Sequence, residues 1–313
     1  MTRVTEFERL RPLLFSISYR ILGSVTEAED AVQETWLRFD ASSTEPRSAK
    51  AFLSTTVTRI SIDVLGSARV RREAYVGPWF PEPLLSDPYQ DPQRAAELAD
   101  SVSVAALLLL ERLSPLERAV FVLREVFGFE FAEVAEAVGR SEAACRQLLS
   151  RARRHMRDGR TRFEADRRKR AELADRFFGA LREGDVDGLR ALLAADVELV
   201  NDDGGRLGGN GHVLGAEQVA QVLAAGVPPF AWIGVVVETR EINGGPGAVF
   251  RDRDGKVVNT WTLDLLDGRV QAIRSVVNPD KLRHLGPVAD ARAVLREKNR
   301  ARLARRARPG SDA

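Results

Sequence analysis

Five polar side chains fall on one side of a stretch near the middle of the chain: Arg146, Gln147, Ser150, Arg151 and Arg154. Arginine and glutamine can pair with base edges, and arginine and serine hold phosphate oxygens, so such a face suits a nucleic-acid duplex. A second set offers different chemistry. Asp202, Asp203 and His212 combine carboxylates with an imidazole. In a partly dry pocket walled by Trp232 and Trp261, that pair could take a proton from a carbon next to a carbonyl. The other two histidines, His155 and His284, fall in basic segments. One cysteine, Cys145, leaves no internal disulfide and no cysteine-based zinc site. No phosphate-binding glycine loop, dinucleotide fingerprint or metal-ligand spacing is present, so neither cofactor nor metal is expected.

The elements that must carry the first set are two helices. Phe131 to Val138 has an amphipathic pattern and stops at Gly139, where a left-handed backbone costs little. Ser141 then suits the N-cap of a helix from Glu142 to Met156. Ala135, Val138, Cys145, Leu149 and Ala152 would pack between the two, leaving the arginine-rich face outward. Two helices, a glycine turn and a basic outer face describe a helix-turn-helix, whose second helix enters the DNA major groove. The same pattern also fits an ordinary helical hairpin with a solvated face. Cys145 points inward and reads as a small buried hydrophobe.

The rest of the chain narrows the choice. Its 313 residues are long for a single core and suggest two or three domains. A hydrophobic content of 44% with 29% charged residues fits a soluble protein, and no apolar run approaches a membrane span. The N-terminus lacks the apolar core of a signal peptide, so the expected compartment is the cytoplasm. The net charge of +2 conceals clustering. Ten Lys/Arg face four Asp/Glu between Arg151 and Glu172, and eight face one between Arg292 and Arg308.

Phe7 to Asp40 reads as two helices broken at Gly23, the second with Glu27, Glu29 and Asp30 in its first turn. Its outward face carries Asp30, Gln33 and Glu34. A third helix runs from about Ser48 to Val70 and ends in a basic patch of Arg69, Arg71 and Arg72, with Arg59 beside its apolar stripe. Basic residues so placed can hold phosphates or single-stranded bases.

These blocks, EAEDAVQETWLRF, AFLSTTVTRISIDVLGSARVRRE and LSPLERAVFVLREVFGFEFAEVAEAVGRSEAACRQLLSRAR, resemble in order and spacing the two domains of an extracytoplasmic-function sigma factor. The resemblance implies two all-α domains. Asp30, Gln33, Glu34 and Trp36 would dock on core RNA polymerase. Arg59, Arg69, Arg71 and Arg72 would contact the minus-ten promoter element, and Glu142, Arg146, Gln147, Ser150, Arg151 and Arg154 the minus-thirty-five element. Arg59 stands where many family members have asparagine, and Gly66 where arginine is common.

Between the two blocks lies GPWFPEPLLSDPYQDP, whose five prolines favour an extended path. Its Trp79, Phe80, Leu84, Leu85 and Tyr89 are too apolar for a plain spacer, so part of it is expected to pack on something. After about Phe163 two helices are followed by alternating apolar strands separated by NGGPG, RDGK and LDGR turns, which indicates an α+β fold with an antiparallel sheet. This third resembles a SnoaL-like cone domain. Together GPWFPEP, NDDGGRLGG and VVNPDKL resemble the subgroup of these sigma factors with a fused SnoaL-like extension, taken to regulate in cis without a separate anti-sigma factor. The resemblance implies contacts among Trp79, Pro81, Glu82, Pro83, Asp202, Asp203, Gly204, Gly205, Arg206, Asn278, Pro279 and Asp280.

The expected organisation is a polymerase and minus-ten domain (1–75), a linker (76–100), a helix-turn-helix domain (101–162), an α+β domain (163–285) and a basic tail (286–313). Core RNA polymerase and promoter DNA are the expected partners, the membrane is not, and the α+β domain has room for a small-molecule ligand. No enzymatic activity is expected. A SnoaL-like enzyme or ligand sensor fused to a DNA-binding module is the alternative.

Overall fold

The computed structural model describes residues 2–43, 45–89, 91, 93, 98, 100–158, 166–207 and 211–306. The chain divides into two compact units, one of residues 1–75 and 86–161, the other of residues 76–85 and 162–313. The expected linker is therefore divided, its first part belonging to the C-terminal unit and the remainder to the helical one.

The helical unit opens with α1 (Arg3–Leu22), capped by the Thr2 hydroxyl and closed by left-handed Gly23. The chain turns at once into α2 (Val25–Asp40), where Ser24 accepts the Glu27 amide. A longer helix, α3 (Ala49–Glu73), packs on both. Leu10, Leu14, Ile17 and Ile21 recur at helical spacing and are buried, as are Phe39, Leu53 and Val57. Phe7 meets Trp36 at 4.9 Å and Phe39 meets Phe52 at 5.8 Å between ring centroids.

The second half of this unit contains α4 (Val104–Leu110) and α5 (Pro115–Phe121). A reciprocal Ser114–Glu117 capping box with Pro115 in the first turn fixes where α5 begins. The helix widens into a π-helical stretch at Val122–Val126. Two further helices, α6 (Phe131–Val138) and α7 (Glu142–Asp158), follow with the expected turn. Gly139 has φ 63°, and the Ser141 hydroxyl accepts the Ala144 amide at 3.2 Å. Val134, Ala137, Val138, Cys145, Leu149 and Ala152 are buried, whereas Ala135 is only half-buried. Burial of each valine or leucine side chain here contributes about 1.5–3 kcal/mol.

The C-terminal unit starts with α8 (Arg167–Glu183) and α9 (Val186–Leu192), capped by Asp166 and Asp185. The chain continues through β1 (Leu193–Asp202), β2 (His212–Leu214), α10 (Ala216–Gly226) and α11 (Pro228–Ala231). Four strands follow: β3 (Val236–Ile242), β4 (Gly245–Arg251), β5 (Val257–Leu266) and β6 (Arg269–Val276). The sheet order is β2-β1-β6-β5-β4-β3. The expectation of a purely antiparallel sheet is corrected in one place, because β1 pairs with β6 in parallel. The helical segment between β2 and β3 brings the chain back so that β3 runs in the direction of β2, and three antiparallel pairings later β6 runs in the direction of β1. Phe177, Phe178, Leu223, Phe250, Trp261 and Ile273 form part of the core between helices and sheet.

Part of the expected basic tail is a packed helix. Residues 291–306 form α12 (Ala291–Arg306), which packs on α11 and β5. Val294 is buried, the Lys298 ammonium lies 4.5 Å from the Phe230 ring centroid, and the Arg305 guanidinium lies 4.5 Å from that of Trp232. Long basic side chains here cover apolar surface with their stems and aromatic faces with their charges.

Candidate functional site

Arg146, Gln147, Ser150, Arg151 and Arg154 are all exposed on α7, one to two turns apart. Arg146 is pre-set: its guanidinium donates to Glu142 at 2.7 Å and lies 4.8 Å from the Phe131 ring centroid. Arg153 is tied back to Glu125 at 2.8 Å and supports the helix from its other side.

Asp30 and Gln33 are exposed on α2, and Glu34 and Trp36 are partly covered. Glu34 pairs with Arg38 one turn on, at 2.8 Å. Trp36 and Gln33 line a groove with Val4, Phe7 and Arg11 of α1, an amphipathic surface rather than a purely charged one.

Arg59 has partners within its own unit. Its Nε donates to Ala137 O at 3.1 Å and its Nη2 to Glu136 O at 2.7 Å, so it satisfies the last carbonyls of α6. The arginine that the family resemblance assigns to promoter DNA thus links α3 to the helix-turn-helix in this arrangement. The side chains of Arg69, Arg71 and Arg72 lie outside the described residues.

The C-terminal unit holds the first half of the linker in a built site. Phe80, Pro81, Pro83 and Leu84 are buried. The Phe80 amide donates to Asp202 Oδ2 at 2.7 Å, and Lys281 Nζ donates to the same oxygen at 2.6 Å and to Phe80 O at 2.5 Å. The Lys281 ammonium also lies 4.4 Å from the Trp79 ring centroid. Asp202 is wholly buried and Lys281 nearly so. Further along the linker, Leu84 and Asn243 exchange bonds, the Leu84 amide to Asn243 Oδ1 at 3.1 Å and the Asn243 amide to Leu84 O at 2.7 Å. Asn243 sits at φ 52° in the β3–β4 turn, which aims its amide outward. His284 Nε2 bonds Pro83 O at 2.7 Å, with Glu82 at 3.8 Å from its Nδ1.

The expected contact residues play unequal parts. Asp203 closes its own loop by accepting the Gly205 and Leu207 amides, each at 2.8 Å. Gly205 has φ 73° and lies so close to Val76 that a β-carbon would meet Val76 Cγ1 at 2.7 Å. Arg206 pairs with Asp280, and Asn278 accepts the Asp280 amide, shaping the turn that presents Lys281. Gly204 shares the left-handed turn with φ 62°, and Pro279 begins the 3-10 turn Pro279–Lys281. Sequence reasoning did not select Lys281, Asn243 or His284. Lys281 had a signal, its place in VVNPDKL, but the other two had none.

The residues suggested for proton abstraction do not converge. The Asp202 carboxylate is engaged by Lys281 and Phe80, whereas His212 lies 3.4 Å from Glu198, across the pairing of β1 with β2. Trp232 is 41% exposed beneath Arg305. Trp261 alone of this pair of tryptophans faces a cavity, about 270 Å³, inside the cone. Among the described residues no cluster of three or more His, Cys, Asp or Glu could hold a metal, and no helix is long and apolar enough to cross a membrane.

Comparison with known proteins assigns the framework. Residues 7–72 match the family model of sigma-70 region 2, and residues 103–156 that of sigma-70 region 4. The chain is 36% identical over 288 residues to the ECF RNA polymerase sigma factor SigJ of Mycobacterium tuberculosis, covering 89% of this chain and 92% of that one. It is 29% identical over 275 residues to the probable ECF RNA polymerase sigma factor SigI of the same species, covering 87% and 92%. The crystal structure of M. tuberculosis SigJ superposes with a TM-score of 0.69 at 33% identity, over 90% of this chain and 98% of that one. With two sigma-70 regions in order and similarity to SigJ along nearly its whole length, the chain belongs to the extracytoplasmic-function sigma factors of RNA polymerase, which direct transcription initiation.

Proposed function

We propose that this sigma factor binds core RNA polymerase through the α2 face of Asp30, Gln33, Glu34 and Trp36 and reads promoter DNA through two surfaces. The α7 residues Glu142, Arg146, Gln147, Ser150, Arg151 and Arg154 contact the upstream element. Arg59, Arg69, Arg71 and Arg72 contact the downstream one once Arg59 leaves the α6 carbonyls. The outward α7 face and the docking of Arg146 on Phe131 support the first assignment. Replacing Arg146 and Gln147 by alanine should weaken promoter binding by about 1–3 kcal/mol for each base edge no longer read. Footprinting of the holoenzyme on variant promoters measures this. An unchanged preference at every upstream position would remove α7 from its role.

The C-terminal α+β domain, SnoaL-like in its element order, regulates these modules in cis and takes the place of a separate anti-sigma factor. One observation carries this: the Trp79–Leu84 stretch of the linker is bound by that domain through Asp202, Lys281, Asn243 and His284. A linker held in this way is effectively shorter and stiffer than a free one. The domain therefore biases the spacings open to the two promoter-reading modules. Its cavity is where a small-molecule input would enter.

Removal of residues 163–313 tests this in transcription with added core enzyme. The truncated chain should still initiate, with a strength or promoter preference different from the full-length protein. Identical output from both on every promoter tried would sink the cis-regulatory reading.

A further inference from the structure

The helix α12 carries more positive charge than its own domain uses. It has seven basic residues and one acidic, Glu297, whose carboxylate is already paired with Arg253. The helical period divides the basic residues between two sides. Val294, Lys298 and Arg305 share the packed side, where Val294 is buried and the two cations cover the rings of Phe230 and Trp232. Arg292, Arg296 and Arg300 recur every four residues on the opposite side, and all three are exposed. Successive members of this row stand about 6 Å apart along the helix axis.

Arginines elsewhere in the sheet and its turns are not left in this state. Every one from Arg190 to Arg283 has a carboxylate or carbonyl partner, as Arg274 has Asp264 and Arg190 has Glu217. Arg292 keeps one such bond, from its Nε to Arg206 O at 2.7 Å, which pins it to the domain surface. Among the described residues, the guanidinium groups of Arg296 and Arg300 have no hydrogen-bond or ion-pair partner. Like charges four residues apart on a helix repel, and no acid on this side of α12 relieves them. A polyanion would.

The make-up of the face says which polyanion. Leu303, 61% exposed, is its only large apolar side chain, too little for the apolar centre of a protein interface or for insertion into lipid. Asn299 on the same side adds a neutral hydrogen-bonding group. A row of arginines with a polar neighbour and almost no apolar area is the composition of a DNA contact, and the planar guanidinium fork matches phosphate oxygens.

We infer that the outer face of α12 binds the phosphate backbone of double-stranded DNA. Arg296 and Arg300 each take a phosphate, with Arg292 beside them, and no base sequence is read. Because α12 and α7 belong to one polypeptide, DNA held through α7 is offered to α12 at a raised effective concentration. The face thus adds sequence-independent affinity to a promoter chosen elsewhere in the molecule. This rests on the reading that the chain engages promoter DNA, and is independent of cis regulation.

The test is the salt dependence of promoter binding by holoenzyme made with the full-length chain, between about 50 and 200 mM salt. Arg296→Ala and Arg300→Ala should each reduce the slope of log K against log salt by about 0.9, and the double variant by about 1.8. The loss of affinity should be the same factor on promoters that differ at upstream positions. Alanine favours helix and neither arginine has a partner to lose, so the fold is retained, which thermal melts check. Arg190→Ala removes the same charge from an exposed site that is already paired, and should leave the slope unchanged. A double-variant slope equal to the parent's, or an equal loss from Arg190→Ala, would overturn the assignment. So would weaker binding of the double variant to core enzyme without DNA, which makes the face a polymerase contact. Flotation with phosphatidylserine vesicles that the double variant abolishes, beside an unchanged slope, would make it a lipid contact instead. A parent holoenzyme that binds no promoter sinks the DNA-binding reading and this inference with it, whereas parent binding with unchanged slopes removes α12 alone.

Discussion

Asp202→Ala should destabilise the C-terminal unit by about 3–5 kcal/mol and release residues 79–84 from it. The carboxylate is wholly buried and receives Lys281 Nζ and the Phe80 amide on one oxygen. Removing it leaves a buried ammonium that still donates to Phe80 O but has lost its counter-charge, and a buried amide with no acceptor in place. Both would have to regain water, and the simplest route is for the linker to lift. The size of the effect comes from stranding these groups rather than from the net worth of the ion pair. Asp202→Leu combined with Lys281→Met should therefore cost less than Asp202→Ala alone, since neither charge is left behind. Urea denaturation gives the stabilities, and hydrogen exchange at the Phe80 amide reports the linker directly. A loss under about 1 kcal/mol with Phe80 still protected would show that apolar burial of Phe80 and Leu84 alone holds the segment.

The contrast between that site and the helix-turn-helix shows which parts of the molecule could be read from the chain. The elements α6 and α7 depend on local rules: an apolar helical period, a left-handed glycine and a serine cap lie close together along the chain. Their exposed face follows from the same period. The linker's burial was also legible, because Trp79, Phe80 and Leu84 in a proline-rich run have no reason to remain in water. Its partners were not. Asn243 is 159 residues from Leu84, and its use depends on a left-handed turn that aims a backbone amide and a side-chain oxygen together. Strand alternation likewise marks β1 and β6 but carries no information on which strands pair or in which direction, hence the missed parallel pair. The helix α12 was hidden by composition. Its basic residues outnumber the large apolar ones, and only packing against Phe230 and Trp232 shows that Lys298 and Arg305 serve as covering side chains.

Charged residues buried inside the helical unit escaped for the same reason, and Arg20 is where this has the largest consequence. It lies on the apolar side of α1, beside Ile17 and Ile21, and is wholly buried. Its Nη2 pairs with Asp87 Oδ2 at 2.8 Å and donates to Leu98 O at 2.8 Å, while Nε donates to Ser101 Oγ at 2.8 Å. The guanidinium carbon lies 5.3 Å from the Phe127 ring centroid, and Arg20 O accepts Arg118 Nε at 2.9 Å. Burial pushes the guanidinium below its ordinary range, and Asp87 is the main opposing influence. One side chain thus fastens the sigma region 2 helices to the segment that leads into region 4.

Arg20→Ala should cost the helical unit about 3–5 kcal/mol, because a wholly buried guanidinium is removed and Asp87, Leu98 O and Ser101 all lose its donors. Arg20→Lys keeps the charge but cannot present donors in a planar fork to three acceptors, so a loss of about 1–3 kcal/mol is expected. Arg20→Met combined with Asp87→Leu should recover part of the deficit by removing both charges. Denaturant melts of the three variants give the order, and near-ultraviolet dichroism of Phe127 and Tyr89, whose rings meet at 5.7 Å, reports whether the junction has loosened. If Arg20→Ala falls within about 1 kcal/mol of the parent, apolar packing between α1 and the region 4 helices is sufficient without the arginine.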